Sequence, residues 1–237
     1  GELEKLVEQG VYPRSIDNYV EYFNIIVFDL DNTLIDTTTL KNFRGSQNIY
    51  NVNKNYEKEL KRELNKNFEI IDESFLRNLK EKFTKSKFFV FTASPRNYAK
   101  SLLKFYYPSI TWDGIIGFED VEKTKPFPDG ILKIQKLTNL DQTNRIVLIG
   151  DMYNDILLGY QAGCFTILSK FAWGNDWWKK ENPHYNDHYE ALKLIPDAIA
   201  ENKEDIFKII NKPWEWIPPL ENISMDMDHI STGKKRA

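Results

Sequence analysis

The chain has 237 residues, 41% of them apolar, enough for one domain with a substantial core or for a core plus a small insertion. A formal net charge of −3 argues against a dedicated nucleic-acid binder, which would show a strongly basic face, although a local basic patch stays open. No apolar stretch approaches the ~20 residues needed to span a bilayer, so no membrane association is expected.

The single cysteine, Cys164, cannot form an internal disulfide, and its setting Gln161-Ala162-Gly163-Cys164-Phe165 is that of a small buried hydrophobe. With no basic-then-apolar leader at the N-terminus, the expected compartment is the reducing cytoplasm.

Leu3, Leu6 and Val7 fall at helical spacing within Glu2 to Gln9, and Ile16, Tyr19, Val20 and Phe23 share one face of a second short helix that Ser15 would cap. Residues 1–23 therefore read as a helical extension that packs on the core or supplies an oligomer contact. Ile25-Ile26-Val27-Phe28 then reads as a parallel strand buried on both faces. It runs into Asp29-Leu30-Asp31, two carboxylates that would share one side if the extended geometry continued through Leu30. Such a pair repels itself unless a cation or a proton relieves it.

Lys41 to Asn55 has no clear periodicity and reads as irregular. Tyr56, Leu60 and Leu64 predict an amphipathic helix whose polar face, Lys58, Lys61, Arg62 and Lys66, is read as solvated. The alternative for that face is steering of an anionic substrate. Asp72 is expected to cap a helix carrying Phe75, Leu76, Leu79 and Phe83. The second strand, Phe88 to Phe91, ends in Thr92-Ala93-Ser94, and Ser94-Pro95 reads as the cap and first residue of a helix whose free N–H groups suit an anion. Arg96 either reaches the substrate or makes a surface ion pair.

Ile115 to Phe118 predicts a third short strand, and Lys125 lies in a loop stiffened by Pro126 and Pro128. A helix over Ile131 to Leu137 precedes the fourth strand, which ends at Gly150-Asp151-Met152-Tyr153-Asn154-Asp155. A helix over Ile156 to Ala162 and a fifth strand, Phe165 to Leu168, follow. Residues 171–189 are dense in aromatics, expected to pack on the C-terminal extension rather than to stack on a base or sugar. His184 and His188 stand four apart, but Pro183 and Asn186 argue against a continuous helix, so no zinc site is expected. Asn202 to Ile210 is a further helix, 212–219 is extended or turn-like, and 224–237 is expected to be disordered or held by a partner.

Five strands alternating with helices indicate a parallel α/β sheet with right-handed crossovers. Ligands of such sheets bind outside the carboxyl ends of the strands, where these strand-end groups would converge. Together they offer a nucleophile, a cage for a hard cation, hydroxyls and a fixed positive charge.

The sequence of motifs Asp29-Leu30-Asp31-Asn32-Thr33, then Thr92, then Lys125 in Lys-Pro-Phe-Pro-Asp, then Gly150-Asp151-x-x-x-Asp155 resembles the haloacid dehalogenase (HAD) superfamily over roughly residues 24–194. The resemblance implies a HAD-like Rossmannoid core, a central parallel sheet flanked by helices, over 24–35 and 72–200. A small helical cap would occupy 36–71, and a C-terminal extension 201–237. In the family the region after the fifth strand flanks the active site and leads into a short strand and a helix, here Tyr189 to Ile199.

The resemblance further implies a Mg²⁺-dependent phosphatase that hydrolyses a phosphomonoester through an aspartyl-phosphate. Asp29 would be the nucleophile and Asp31 the acid and base. Asp29, the main-chain carbonyl of Asp31 and Asp151 would hold the metal, with Asp155 contributing directly or through water. Thr92, Ser94 and Lys125 would bind the phosphate, with Asn154 in support. An acid at position 31 sets phosphoryl transfer ahead of dehalogenation. A small phosphorylated substrate is expected, and a nucleic-acid end or a protein stays open because the lid is small. The alternatives are a phosphotransferase or mutase and a non-catalytic scaffold that binds through the aromatic loop and termini. The complete acidic set speaks against the scaffold.

Overall fold

A computed structural model of the chain describes residues 22–49, 54–66, 68–174 and 176–216. The two helices expected before Tyr22, and the tail expected from 224 onward, lie outside the described residues. Phe23 is buried and non-helical.

Six strands, β1 (Ile25–Phe28), β2 (Lys87–Phe91), β3 (Gly114–Ile116), β4 (Ile146–Gly150), β5 (Phe165–Ser169) and β6 (Ala198–Ala200), form one sheet in the order β3-β2-β1-β4-β5-β6. Every pairing is parallel. The chain steps outward from β1 to β3, then crosses back to lay β4 along the other side of β1. Eight α-helices accompany the sheet among the described residues: α1 (Lys41–Arg44), α2 (Lys54–Leu64), α3 (Glu73–Lys82), α4 (Arg96–Tyr106), α5 (Asp129–Thr138), α6 (Tyr153–Ala162), α7 (Tyr185–Lys193) and α8 (Lys203–Asn211).

The continuous apolar runs that predicted β1 and β4 are buried at every position. Alternation sends Ile26 and Phe28 into one core with Val90, Val147 and Ile149, covered by α3, α4 and α8. Ile25 and Val27 enter the opposite core with Phe89, Ile146 and Leu148, covered by α5 and α6. Burial on both faces is what a parallel sheet with helices on each side requires.

Four expectations need correction. The sheet has a sixth strand, and after the aromatic stretch the order is α7 then β6, not strand then helix. Ile195, at φ 54, and Pro196 break the helical path between them. β3 ends at Ile116, and Phe118–Asp120 is a turn of 3-10 helix. The stretch expected to be irregular holds α1 and a 3-10 turn, Ser46–Asn48, and α2 begins already at Lys54.

Residues 36–68 leave and re-enter the core through a narrow neck. Ile35 and Glu69 form an antiparallel bridge, Asp36 N–H donates to the Phe68 carbonyl (3.0 Å), and Ile70 N–H donates to the Leu34 carbonyl (2.8 Å). The Tyr107 hydroxyl sits 2.9 Å from the Leu34 carbonyl and 2.8 Å from that of Ile71, touching both arms at once. Tyr107→Phe leaves buried carbonyls without that donor and is expected to cost about 1–3 kcal/mol. Thermal unfolding checks it, and an unchanged midpoint would mean that the backbone bonds alone close the neck.

Candidate active site

β1 and β4 run side by side with Phe28 opposite Ile149, so their carboxyl ends flank the point where the strand order reverses. The Asp29 N–H still donates to the Ile149 carbonyl (2.8 Å), which brings the Asp29 side chain over the end of the sheet. Asp29, Asp151 and Asp155 each offer a carboxylate oxygen within 4.8 Å of the other two. Lys125 Nζ bridges them, 2.9 Å from Asp29 Oδ1 and 2.6 Å from Asp155 Oδ1. Buried Thr33 adds its hydroxyl, 3.1 Å from Asp29 and 3.2 Å from Asp151.

Local geometry explains this convergence. Asp155 opens α6, where its Oδ2 accepts the Met152 N–H (3.3 Å) and its other oxygen turns to Lys125. Only a glycine fits at position 150, since a Cβ there would lie 2.4 Å from the Asp155 carboxylate. Burial, the Asp155 charge and the nearby Asp31 raise the pKa of Asp29 to about 6 against the opposing pull of Lys125. Burial, with Asp29 and Asp155 alongside, also holds the Asp151 carboxyl well above the usual carboxylate range. Burial alone would depress the Lys125 ammonium, yet Asp155 and Asp29 outweigh it and raise its pKa.

Asp31 faces elsewhere. The strand stops at Phe28, and a turn in which Asn32 takes φ 59 and the Leu30 carbonyl accepts the Leu34 N–H (3.0 Å) swings the second carboxylate toward the end of β2. The two acids therefore do not share one side as the extended reading expected. The Asp31 carboxylate is not among the three that meet within 4.8 Å. Its Oδ2 accepts from Ser94 Oγ (2.7 Å) and Thr92 Oγ1 (3.3 Å). Its Oδ1 accepts from the Tyr98 hydroxyl (2.8 Å) and lies 3.6 Å from Arg44 Nη1.

The expected cap arrangement at α4 also differs. Pro95 holds an extended backbone, so the helix begins at Arg96, and Ser94 turns its hydroxyl to Asp31 instead of capping. The first N–H of the helix, that of Arg96, goes to Glu119 (2.7 Å), and the Arg96 side chain pairs with Asp120. The Arg96 N–H at this end is thus already taken, and of the two readings of Arg96 the structure shows the ion pair.

A cavity of about 760 Å³ opens over these groups, with Asp29, Asp31, Ser94, Lys125, Asp151 and Asp155 on its floor. Thr92 lies fully buried beside it, and Asn154 lines it. The wall adds groups that no motif announced: Arg44 and Phe68 from the 36–71 segment, Phe171 and Trp173 after β5, and His184 and His188. Trp173 Nε1 donates to the Asp151 carbonyl (2.9 Å), and its ring stacks on His188 at 3.8 Å. α7 forms despite Pro183 and Asn186, starting just after His184. Burial, then the neighbouring His184, depresses the His188 pKa to about 4, so its ring is neutral. Among the described residues, the Trp173 cluster is built with Ile156, Tyr160, Leu192 and Ile199 and includes none of 201–216. Phe171 does pack on the core that includes Trp216.

Signals for the missed groups were thin. Thr33 lies within the first motif, but Tyr98 reads only as an apolar helix position and Arg44 as part of an aperiodic stretch. Among the described residues no helix is long and apolar enough to cross a membrane.

A family model described as haloacid dehalogenase-like hydrolase matches residues 38–169, taking in Thr92, Lys125, Asp151 and Asp155 but starting after Asp29 and Asp31. Over 132 residues the chain is 33% identical to a candidate pyrophosphatase, PpaX, of Caldanaerobacter subterraneus subsp. tengcongensis, which covers 54% of this chain and 59% of that protein. Over 114 residues it is 29% identical to the pyrophosphatase PpaX of Halalkalibacterium halodurans, 48% of this chain and 50% of that protein. The chain thus spans about half the length of these curated relatives. Among solved structures, a predicted phosphoglycolate phosphatase from Haemophilus somnus superposes with a TM-score of 0.58 at 18% identity, over 79% of this chain and 97% of that one. A phosphonoacetaldehyde hydrolase-like protein from Oleispira antarctica gives 0.56 at 12% identity, over 95% and 100%. These two likenesses concern the fold alone, which is the parallel α/β architecture that the motifs implied.

Proposed function

The chain belongs to the haloacid dehalogenase-like hydrolases, and on that ground we propose that it hydrolyses a phosphomonoester through a covalent aspartyl-phosphate. The observation that carries this reading is the meeting of Asp29 with Asp151, Asp155 and Lys125 in one buried corner of the cavity. Asp29 attacks phosphorus, the bond to the leaving alcohol breaks, and Asp31 delivers a proton to the departing oxygen. Asp31, then ionised, takes a proton from water as that water attacks the phosphoryl group and returns Asp29. Lys125, together with Thr92 and Ser94 once they release Asp31, binds the phosphoryl oxygens.

Three carboxylates drawn within 4.8 Å, two of them with raised pKa values, make a hard oxygen donor set that suits Mg²⁺. Asp29, Asp151 and the main-chain carbonyl of Asp31 would hold the ion. The engagement of Asp155 with Lys125 and the Met152 N–H favours a contact through water. When bound, Mg²⁺ supplies positive charge that offsets the repulsion between carboxylates and phosphoryl oxygens.

Segment 36–71 serves as the cap in this reading, since it closes at its neck and lends Arg44 and Phe68 to the cavity wall. The cavity has the size of a small-molecule site. The basic face of α2, with Lys58, Lys61 and Arg62 exposed, contributes nothing to the cavity wall, which favours a small phosphorylated substrate over a nucleic-acid end.

The test is phosphate release from an aryl phosphate, pyrophosphate and a set of sugar and carboxylic-acid monophosphates, in Mg²⁺ and in EDTA. Release in Mg²⁺ that EDTA reduces to background is the expected result. Release from none of them would overturn the reading.

A further inference from the structure

Asp31 is held from four sides, and one holder stands apart. Ser94 and Thr92 sit at the end of β2 where a phosphoryl group would recruit them, and Arg44 lines the open cavity. Tyr98 does neither. It is fully buried on α4 among apolar residues, yet its hydroxyl donates to Asp31 Oδ1 at 2.8 Å. A phenylalanine would fill the same space without a polar atom to satisfy, so packing does not explain the hydroxyl. On its far side the phenolic oxygen receives a hydrogen bond from the Thr37 hydroxyl, which in turn accepts from Arg44 (3.4 Å).

We propose that Tyr98 is a positioning residue for proton transfer: it anchors Asp31 through Oδ1, so that Oδ2, released by Ser94 and Thr92 when the phosphoryl group binds, is the atom that carries the proton. The inference rests on the phosphatase reading above. With the proton on Oδ2, Oδ1 remains an acceptor whether Asp31 is ionised or protonated, so Tyr98 donates to it in both states. Arg44 Nη1 stands 3.6 Å from Oδ1, beyond hydrogen-bond distance. In the first half-reaction the proton on Oδ2 moves to the leaving oxygen as the P–O bond breaks. In the second, Oδ2 takes a proton from the attacking water, and the Oδ1 contact to Tyr98 stays in place throughout.

The experiment compares Tyr98→Phe with wild type on an alkyl phosphate and on 4-nitrophenyl phosphate, reading kcat/KM, which reports the steps up to cleavage of the first P–O bond. An alkoxide cannot depart without its proton, whereas nitrophenolate departs unprotonated. The expected result is a loss of about 10- to 100-fold on the alkyl ester and of less than about threefold on the aryl ester. Thr37→Val, which removes the bond to the far side of the phenol, should show the same ester preference at about two- to fivefold, and it keeps the inference testable if Tyr98→Phe fails to fold. In an Asp31→Asn background, Tyr98→Phe should add nothing further on the alkyl ester. Equal losses on both esters, or none on either, would overturn the positioning role. A wild type that turns over neither ester would instead sink the phosphatase reading itself.

Discussion

Asp29→Asn is expected to remove turnover by about a thousandfold or more while leaving the fold as stable as wild type or more so. The kinetic half follows from the proposed phosphatase chemistry, in which Asp29 is the nucleophile, and has the size seen when catalytic nucleophiles are deleted. The stability half follows from the neighbourhood. Asp29 is largely enclosed, its side chain 11% exposed, beside Asp155 and Asp151, and its pKa is raised to about 6. An acid whose folded pKa exceeds its unfolded value lends stability below the unfolded value, and that stability is lost as the pH climbs through the folded one. At neutral pH the ionised carboxylate therefore weighs against folding by about 3 kcal/mol. Asparagine relieves this and leaves Lys125 paired with Asp155. In EDTA the wild-type melting temperature should rise as the pH falls from 7.5 toward 5, and the variant should lose much of that dependence. Retained turnover, or a variant several degrees less stable at pH 7.5, would contradict this account of the site.

Lys125→Met should have the opposite signature, losing stability and activity together. The ammonium is almost wholly enclosed, touches two carboxylates and lies over the Phe91 ring at 5.0 Å. Methionine restores much of the volume but leaves Asp29, Asp151 and Asp155 facing one another with no lysine between them. Breaking a buried ion pair from one side costs about 3–5 kcal/mol. Thermal unfolding in EDTA should show a fall at pH 7.5 that shrinks toward pH 5, where the acids take up protons. Adding Mg²⁺ should recover part of the fall, and adding Asp155→Asn should recover part of it without metal. A Lys125→Met protein that melts with wild type would mean that the triad needs no built-in cation.

The parts of the fold that could be read from the residues are those where a local pattern and the tertiary demand coincide. β1 and β4 are buried on both faces, so nothing interrupts their apolar runs, and an acid directly after such a run stands out. Asp151 follows β4 in the same way with Asp155 four residues on, whereas Lys125 stands out only by its proline-flanked loop and the motif resemblance. β6 was hidden because three residues, two of them alanine, carry little strand preference and are held by pairing with β5. The orientation of Asp31 was hidden because it depends on a turn at Asn32 that an extended reading cannot anticipate. Tyr98, Arg44 and Trp173 reach the site from separate elements, and only packing reveals which of their atoms point inward.

The sheet order also bears on how the chain is made. β1 lies between β2 and β4, and β4 is separated from it by more than a hundred residues. During synthesis, β1 can pair with β2, and β2 with β3, early, but the other edge of β1 keeps unpaired N–H and C=O groups until residues 146–150 arrive. A translation product stalled between β3 and β4 would be half a sheet with a hydrophobic bare edge at its centre, the kind of species that associates with copies of itself. The seam at which the acidic groups meet is thus one that stays open while more than a hundred further residues are made.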